Sequence, residues 1–293
     1  MSSMICRYWW SCQDNEKKMH WINWKKLTEP KGEGGLGFRD IHAFNLAMLA
    51  KQGWRLAQNP ESPCARILKA KYYPNGDVLK ARAGNNPSYT WRSILKGIEV
   101  LNRGIIWRVG NGRSFYIWRD PWLSRFWSRL PITPKGQNVL TMVDELIDPV
   151  TEWWNEELIR DVFWPEDVEL ILSTPVHVNL EDTLAWHFDS KGMFSVRSAY
   201  RVQRDHERRT SSHGGASSSE GNVAGCVQWK VLWKMGCPGK IRHFLWRFAH
   251  DSLALRKNLQ RRGMDIDTRC VMCNAQDENG AHLFFKCKLA ERI

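Results

Sequence analysis

No stretch of this chain approaches the eighteen or more apolar residues that a membrane-crossing helix requires. No secretory leader opens it either: its first apolar run, residues 4–10, is short and interrupted by Arg7. Two adjacent aspartates occur nowhere, which removes the paired-carboxylate anchor that two-magnesium chemistry commonly uses. No serine or cysteine stands in a nucleophile motif, and His177, His187 and His206 read as ordinary surface or packed histidines. The acidic residues of 144–169 read as a solvated helix face rather than an acid–base pair. These absences predict a protein with no membrane partner and no enzymatic centre. Eight cysteines without a leader predict a reducing, intracellular compartment rather than secretion.

Acidic charge is scarce except in the middle. Residues 1–130 carry 22 Lys/Arg against 9 Asp/Glu, residues 131–189 carry 2 against 13, and residues 190–293 carry 19 against 9. The net charge of +12 is therefore a basic–acidic–basic pattern. It suits ends that meet a polyanion, or that meet the acidic middle, and it also suits plain solvated surface. Seventeen tryptophans are present. Tryptophan fills cores and interfaces and also stacks on bases, so the count alone does not choose between them.

The pattern predicts a mixed α+β fold with a helical N-terminal segment, a hairpin-rich middle and a small C-terminal helical zinc-binding module. The expected boundaries are 1–80, 81–207, a flexible linker at 208–225 and the module at 226–293. Asp40 can cap a helix over 41–57 that is apolar almost all round (Ile41, Phe44, Leu46, Met48, Leu49, Trp54, Leu56) and so buried on several sides. Asn59-Pro60 ends it, and a short helix fits 64–72. Residues 105–109 and 114–118 flank Gly110-Asn111-Gly112 and predict a hairpin. A second hairpin fits 183–188 with 193–196, turning at 189–192. Trp107, Trp118 and Trp186 on these strands read as core. Ser195 can cap a helix from 196 to about 207. The Ser/Gly-rich run after it reads as linker. The literal Gly32-x-Gly34-x-x-Gly37 match lacks the preceding strand of a dinucleotide site and reads as a turn.

The strongest chemical signal is C-terminal. Cys270, Cys273, His282 and Cys287 read C-x2-C-x8-H-x4-C. Three thiolates and an imidazole complete a tetrahedral zinc site with no open position, which holds structure together rather than activating water. The alternative is two turn cysteines beside a surface histidine; a redox pair lacks the βαβ context it needs. Just before the cluster, residues 240–251 place Ile241, Phe244, Leu245, Phe248 and Ala249 on one helical face. Arg242, His243, Trp246, Arg247 and His250 lie opposite. A second helix, 254–262, adds Arg256, Lys257, Arg261 and Arg262 and ends at Gly263. Arg242, Trp246, Arg247, Arg256, Lys257, Arg261 and Arg262 are the candidate nucleic-acid contacts: the cations for phosphate, Trp246 for stacking on a base.

Many segments carry a resemblance. Trp21-Ile22-Asn23-Trp24-Lys25-Lys26-Leu27, Gly34-Gly35-Leu36-Gly37-Phe38, Phe44-Asn45-Leu46-Ala47 and Ala50-Lys51-Gln52-Gly53-Trp54-Arg55-Leu56 open the series. Trp107-Arg108-Val109-Gly110-Asn111-Gly112, Trp118-Arg119-Asp120-Pro121-Trp122-Leu123 and Gly192-Met193-Phe194-Ser195-Val196-Arg197-Ser198-Ala199-Tyr200 follow. Phe244-Leu245-Trp246-Arg247 and the Cys270–Cys287 cluster close it. In this order they resemble the region C-terminal to the polymerase in plant non-LTR (LINE-type) retrotransposon reverse transcriptases, ending in the reverse-transcriptase zinc-binding domain. The family's polymerase lies upstream and carries a Tyr-x-Asp-Asp metal site; without an Asp-Asp pair no polymerase activity is expected. Some relatives continue into a ribonuclease H domain, which is not expected here. Cys226 and Cys237 do not fall on ligand positions, an apolar residue being usual where Cys237 stands.

The resemblance implies zinc as cofactor, RNA or single-stranded DNA as partner, a reverse transcriptase supplied in trans, and nuclear residence. Two other readings compete. In one, the basic ends dock on the acidic middle and the chain is a protein-interaction scaffold. In the other, Met1 falls where the parent protein would be mid-chain, and the chain is a decayed retroelement fragment without selected function. The fragment reading predicts aggregation on expression, from an apolar face left uncovered.

Overall fold

The computed structural model describes residues 2–10, 19–125, 128–213 and 228–289. Along the chain they form α1 (Ser2–Trp10), α2 (Trp24–Leu27), α3 (Ile41–Gln58), α4 (Pro63–Tyr72), α5 (Tyr89–Asn102) and β1 (Ile105–Arg108). Next come β2 (Ile147–Asp148), β3 (Trp153–Trp154), α6 (Glu156–Val162), α7 (Pro165–Ser173) and β4 (Thr183–Trp186). The series ends with α8 (Val196–His213), α9 (Trp229–Lys234), α10 (Gly239–Ala249) and α11 (Arg256–Arg261). The order is helical, then mixed with antiparallel β-ladders, then helical around a Cys/His cluster, so the fold is mixed α+β as expected. Two compact units result: His42–Gly214, and Met1–Ile41 together with Gly215–Ile293. The C-terminal module thus shares its unit with the N-terminal residues.

In the His42–Gly214 unit, local sequence starts the helices. Ser62 accepts the Ala65 amide and Pro63 occupies the first turn of α4; Ser88 accepts the Trp91 amide at the start of α5. Both are N-cap bonds that satisfy otherwise orphaned amides. Helices α3 and α5 meet at their glycines. A Cβ on Gly97 would lie 2.3 Å from the Leu49 carbonyl carbon, and one on Gly53 would lie 2.9 Å from Leu101 Cδ1. The buried stripe of α3 is accordingly Ala43, Ala47, Ala50, Gly53 and Leu56, while Met48 is exposed. Of the large residues expected inside, Leu56 is buried and Leu46 and Trp54 pack partly buried on the core, but burial is not all round, and the closest contact is made by small side chains. Trp91, Ile98, Leu101 and Trp186 join this first core.

The predicted hairpin at 105–118 is replaced by a longer-range pairing. Strand β1 pairs antiparallel with β4, Ile105 opposite Trp186 and Arg108 opposite Thr183. The Gly110-Asn111-Gly112 turn is real, but it closes around a side chain. Asp182 accepts the amides of Gly110 at 2.7 Å and Gly112 at 2.9 Å through Oδ1, and of Ser114 at 2.8 Å through Oδ2. The chain beyond is then free to send Phe115 and Ile117 into a second core with Trp122, Leu146, Trp154 and Ile171. The second predicted hairpin retains its turn, with the Trp186 amide bonded to the Gly192 carbonyl. Its return arm is not a strand: residues 192–195 are irregular and lead directly into the next helix. Helix α8 begins after Ser195, whose Oγ accepts the Ser198 amide. It continues to His213, so the expected linker is helical over 208–213; its remainder, 214–225, lies outside the described residues. The strand tryptophans are core: Trp186 is fully buried, and Trp107 and Trp118 pack partly buried on the second core.

In the other unit, Ile22, Leu27, Leu232 and Trp246 form the buried centre, with Trp21, Trp24, Phe38, Trp229 and Trp233 around it. The Gly-rich turn, with Gly34 at φ 88° and Gly37 at φ 73°, has no strand before it. It serves packing: a Cβ on Gly35 would lie 2.0 Å from the Glu29 carbonyl oxygen.

Candidate metal centre and basic surface

The C-terminal residues fold into a knot held by local hydrogen bonds. The Cys270 amide donates to Gln276 O and the Asn274 amide to Cys270 O, both at 2.8 Å. Asn274 takes the left-handed conformation, φ 54°, which asparagine tolerates better than most residues. Thr268 Oγ1 donates to Asp277 Oδ1 at 2.6 Å. Glu278, nearly buried, accepts the Arg256 and Val271 amides and so ties the start of α11 to the first two cysteines. Asn279 Oδ1 accepts the His282 amide, and a wide helical turn, His282–Lys286, brings the Cys287 amide onto His282 O at 2.8 Å. Phe248 of α10 closes over Gly280, where a Cβ would meet its ring at 2.7 Å.

This framework brings the four predicted ligands together. The Sγ atoms of Cys270, Cys273 and Cys287 and a ring nitrogen of His282 all lie within 4.8 Å of one another. Zinc–sulfur bonds of about 2.3 Å in a tetrahedron need donors about 3.8 Å apart. Cys270, Cys287 and His282 are buried, and all three cysteines are free thiols. His282 Nε2 lies 3.2 Å from Cys273 Sγ, so Nε2 faces the cluster. The Ala275 amide, with His282 and the other cysteines, brings the Cys273 thiol down to about 6, which favours thiolate at neutral pH. Burial raises the Cys270 thiol, and a bound cation would offset that cost. The donor set therefore fits zinc. Four protein ligands leave no position for substrate, and among the described residues no other group of three or more His, Cys, Asp or Glu side chains converges in this way.

The predicted nucleic-acid residues divide into two sets. Helix α10 is turned the other way from its hydrophobic periodicity. Trp246 is fully buried and donates through Nε1 to Gly34 O at 2.8 Å. It is therefore not a base-stacking platform. His250 Nε2 sits 2.6 Å from the same carbonyl, and burial lowers its pKa, as it lowers that of His243. Arg242 donates to Trp233 O and Arg247 to Ser252 O; both are half-buried structural braces. The face read as apolar is the more open one, with Ile241 47% and Phe244 40% exposed. Two hydrogen-bonding aromatic tips on the inner face outweigh the count of apolar residues on the outer one.

Helix α11 keeps its cations nearer water. Arg256 reaches the carbonyls of Asp267 and Arg269, and Lys257 pairs with Asp277 at 3.2 Å. Arg261 pairs with Asp251 at 2.8 Å, and Arg262 donates to Trp21 O while lying over the Trp21 ring. Arg261 and Arg262 are exposed. Exposed cations that the sequence reading passed over are Arg269, Lys286 and Lys288. They flank the first and last of the four zinc-ligand positions, Cys270 and Cys287, which is the signal that could have found them.

Residues 194–293 match the family model described as zinc-binding in reverse transcriptase. An uncharacterized mitochondrial protein of Arabidopsis thaliana is 40% identical over 124 residues, 42% of this chain and 80% of that protein. A putative ribonuclease H protein of Arabidopsis thaliana is 29% identical over 286 residues, 95% of this chain. The chain spans only 44% of that second relative's length. No solved structure matches. The chain belongs to the plant retrotransposon-related, reverse-transcriptase-like family that carries this zinc-binding domain.

Proposed function

We propose that this chain is a non-catalytic accessory region in which Cys270, Cys273, His282 and Cys287 hold one zinc ion, and whose surrounding cations hold RNA or single-stranded DNA for a reverse transcriptase. The observation that carries this reading is the closed four-donor cluster set in a stretch whose exposed side chains include Arg261, Arg262, Arg269, Lys286 and Lys288. The Arg261–Asp251 pair is solvent-exposed on both sides. Such pairs contribute little, so the guanidinium can exchange its carboxylate for a phosphate. The polymerase is supplied by another part of a larger protein or in trans, and a nuclear location follows from that partnership.

The test is binding of labelled single-stranded RNA by the full chain across a salt series, with zinc and after chelation. Affinity that depends on zinc and falls steeply with salt, by about 0.7 in log–log slope per phosphate contact, supports the reading. Absence of binding by folded, zinc-loaded protein sinks it. A scaffold reading is favoured by one observation, the partly exposed aromatic group of Phe244, Phe284 and Phe285. It predicts that Arg261→Ala leaves RNA affinity unchanged.

A further inference from the structure

The His42–Gly214 unit contains a cleft of about 420 Å³ lined by Arg103, Arg129, Phe188, Arg201, Asp205 and Arg209, with His206 and Ser198 also in its lining. Helical spacing builds one wall. On α8, Arg201, Asp205 and Arg209 fall four residues apart on one row, and Ser198, Val202 and His206 form the neighbouring row. Arg103, at the end of α5, and Arg129 come from other parts of the unit.

Four guanidinium groups thus share the cleft with one carboxylate, and that carboxylate, Asp205, stands 3.9 Å from Arg208 outside the lining. The internal partners of the two deeper arginines are mostly neutral. Arg103 donates to the amide oxygen of Gln203 at 2.6 Å, and Arg129 donates to the Arg103 carbonyl. The Nε of Arg129 is buried with no partner among the described residues. Burial lowers the pKa of both, with Glu99 and Glu207 acting at a distance on Arg103 only. The Arg201 side chain is exposed and has no hydrogen bond or ion pair among the described residues. Arg103 and Arg129, drawn partly out of water onto neutral hydrogen-bond acceptors, are unfavourable there unless an anion joins them. Arginine forks match phosphate oxygens in pairs.

The remaining wall is aromatic. Phe188 is 40% exposed, backed by Trp186 and His187, with the Arg129 guanidinium 5.9 Å from its ring centre. A phosphate site beside an open aromatic face suits a nucleotide unit, phosphate on the arginines and base on the ring. We propose that this cleft is a second single-stranded nucleic-acid site, in which Arg201, at the mouth of the arginine cluster, takes a backbone phosphate and Phe188 stacks on the adjoining base. It lies wholly in His42–Gly214 and does not depend on the zinc ligands.

The experiment uses the full chain and a fluorescein-labelled oligouridylate, read by anisotropy across a salt series, for the wild type, Arg201→Glu, Arg201→Lys and Phe188→Ala. Arg201→Glu is expected to weaken binding and to lower the log–log salt slope by about 1, with Arg201→Lys restoring most of the slope. Phe188→Ala is expected to weaken binding roughly tenfold with the slope unchanged. Circular dichroism confirms that each variant is folded. Unchanged affinity and slope in folded Arg201→Glu overturn the cleft, even where chelation abolishes binding and so supports the zinc module. Binding that survives chelation but is lost in Arg201→Glu supports the cleft and overturns the module reading. Competition by a phosphoserine peptide as strong as by unlabelled oligouridylate overturns the nucleic-acid assignment.

Discussion

At Trp246 one indole ring fills a core and satisfies a polar group at once. Its N–H and the imidazole of His250 converge on a single carbonyl, Gly34 O, while its ring is fully buried. Trp246→Phe removes one of the two contacts to that oxygen and leaves most of the packing, for an expected cost of about 1–2 kcal/mol. Trp246→Ala also opens a cavity and should cost about 3–5 kcal/mol. Urea denaturation of the two variants checks this order. Trp246→Phe should leave RNA affinity where it was; a selective loss of affinity in a folded variant would show that the ring reaches nucleic acid after all.

Asp182 makes a similar bet with charge. One carboxylate serves three backbone amides of the 110–114 turn, and those amides have no other acceptor among the described residues. Asp182→Ala strands all three and should cost about 3 kcal/mol or more, with Asp182→Asn, which keeps one acceptor oxygen, falling between. The thermal midpoints of the two variants decide it: equal losses would mean that the carboxylate's second oxygen contributes nothing.

For elements, periodicity was informative about where helices run and uninformative about which face is inside. Residues 240–251 announced a helix, and α10 is there. Its inner face carries His243, Trp246 and His250, because the turn at Gly34 supplies an acceptor that no count of apolar residues can anticipate. Strand β1 shows the same limit. Its β-branched and aromatic residues marked a strand, but a partner 70 or more residues away, β4, outcompeted the local one once Asp182 had captured the turn. Small residues in α3 were legible only as apolar; that Gly53 and Gly97 let two backbones approach emerged from the packing. The zinc cluster was the most legible feature, since ligand chemistry fixes both residue type and spacing.

The inner face of α10 also sets a pH response. Burial holds His243 and His250 below their ordinary pKa. Near His250 stand Gly34 O, Lys26 and Glu29, and near His243 the Arg247 guanidinium. Unfolded histidines titrate near 6.5, so below that pH the unfolded chain binds more protons than the folded one. Stability therefore rises with pH, is complete above about 6.5, and is lost progressively as pH falls towards the depressed folded values. Urea midpoints at pH 7.5 and 5.5 should differ less in His250→Gln than in the wild type. The thiols contribute equally to both proteins and cancel in that comparison. An identical pH response in the two would remove His250 from the account.

For the whole molecule, the division into units decides what zinc can stabilise. The two large cores of His42–Gly214 are assembled from residues 47–202 alone, and the four thiol and imidazole donors all lie between 270 and 287. A small knot of this kind buries little apolar surface. Phe284 and Phe285 remain open beside it, so metal coordination must supply much of its folding free energy. Removing zinc, by chelation or by Cys273→Ser, should unfold 256–289 and expose the far side of Phe248, yet leave the tryptophan-rich cores of His42–Gly214 intact. Calorimetry should then show the low-temperature transition disappear while the high-temperature one stays in place. Hydrogen exchange should show protection lost at 256–289 and retained in α5 and β1. Protection lost together in both regions would mean that the zinc knot and the central cores fold as one cooperative body.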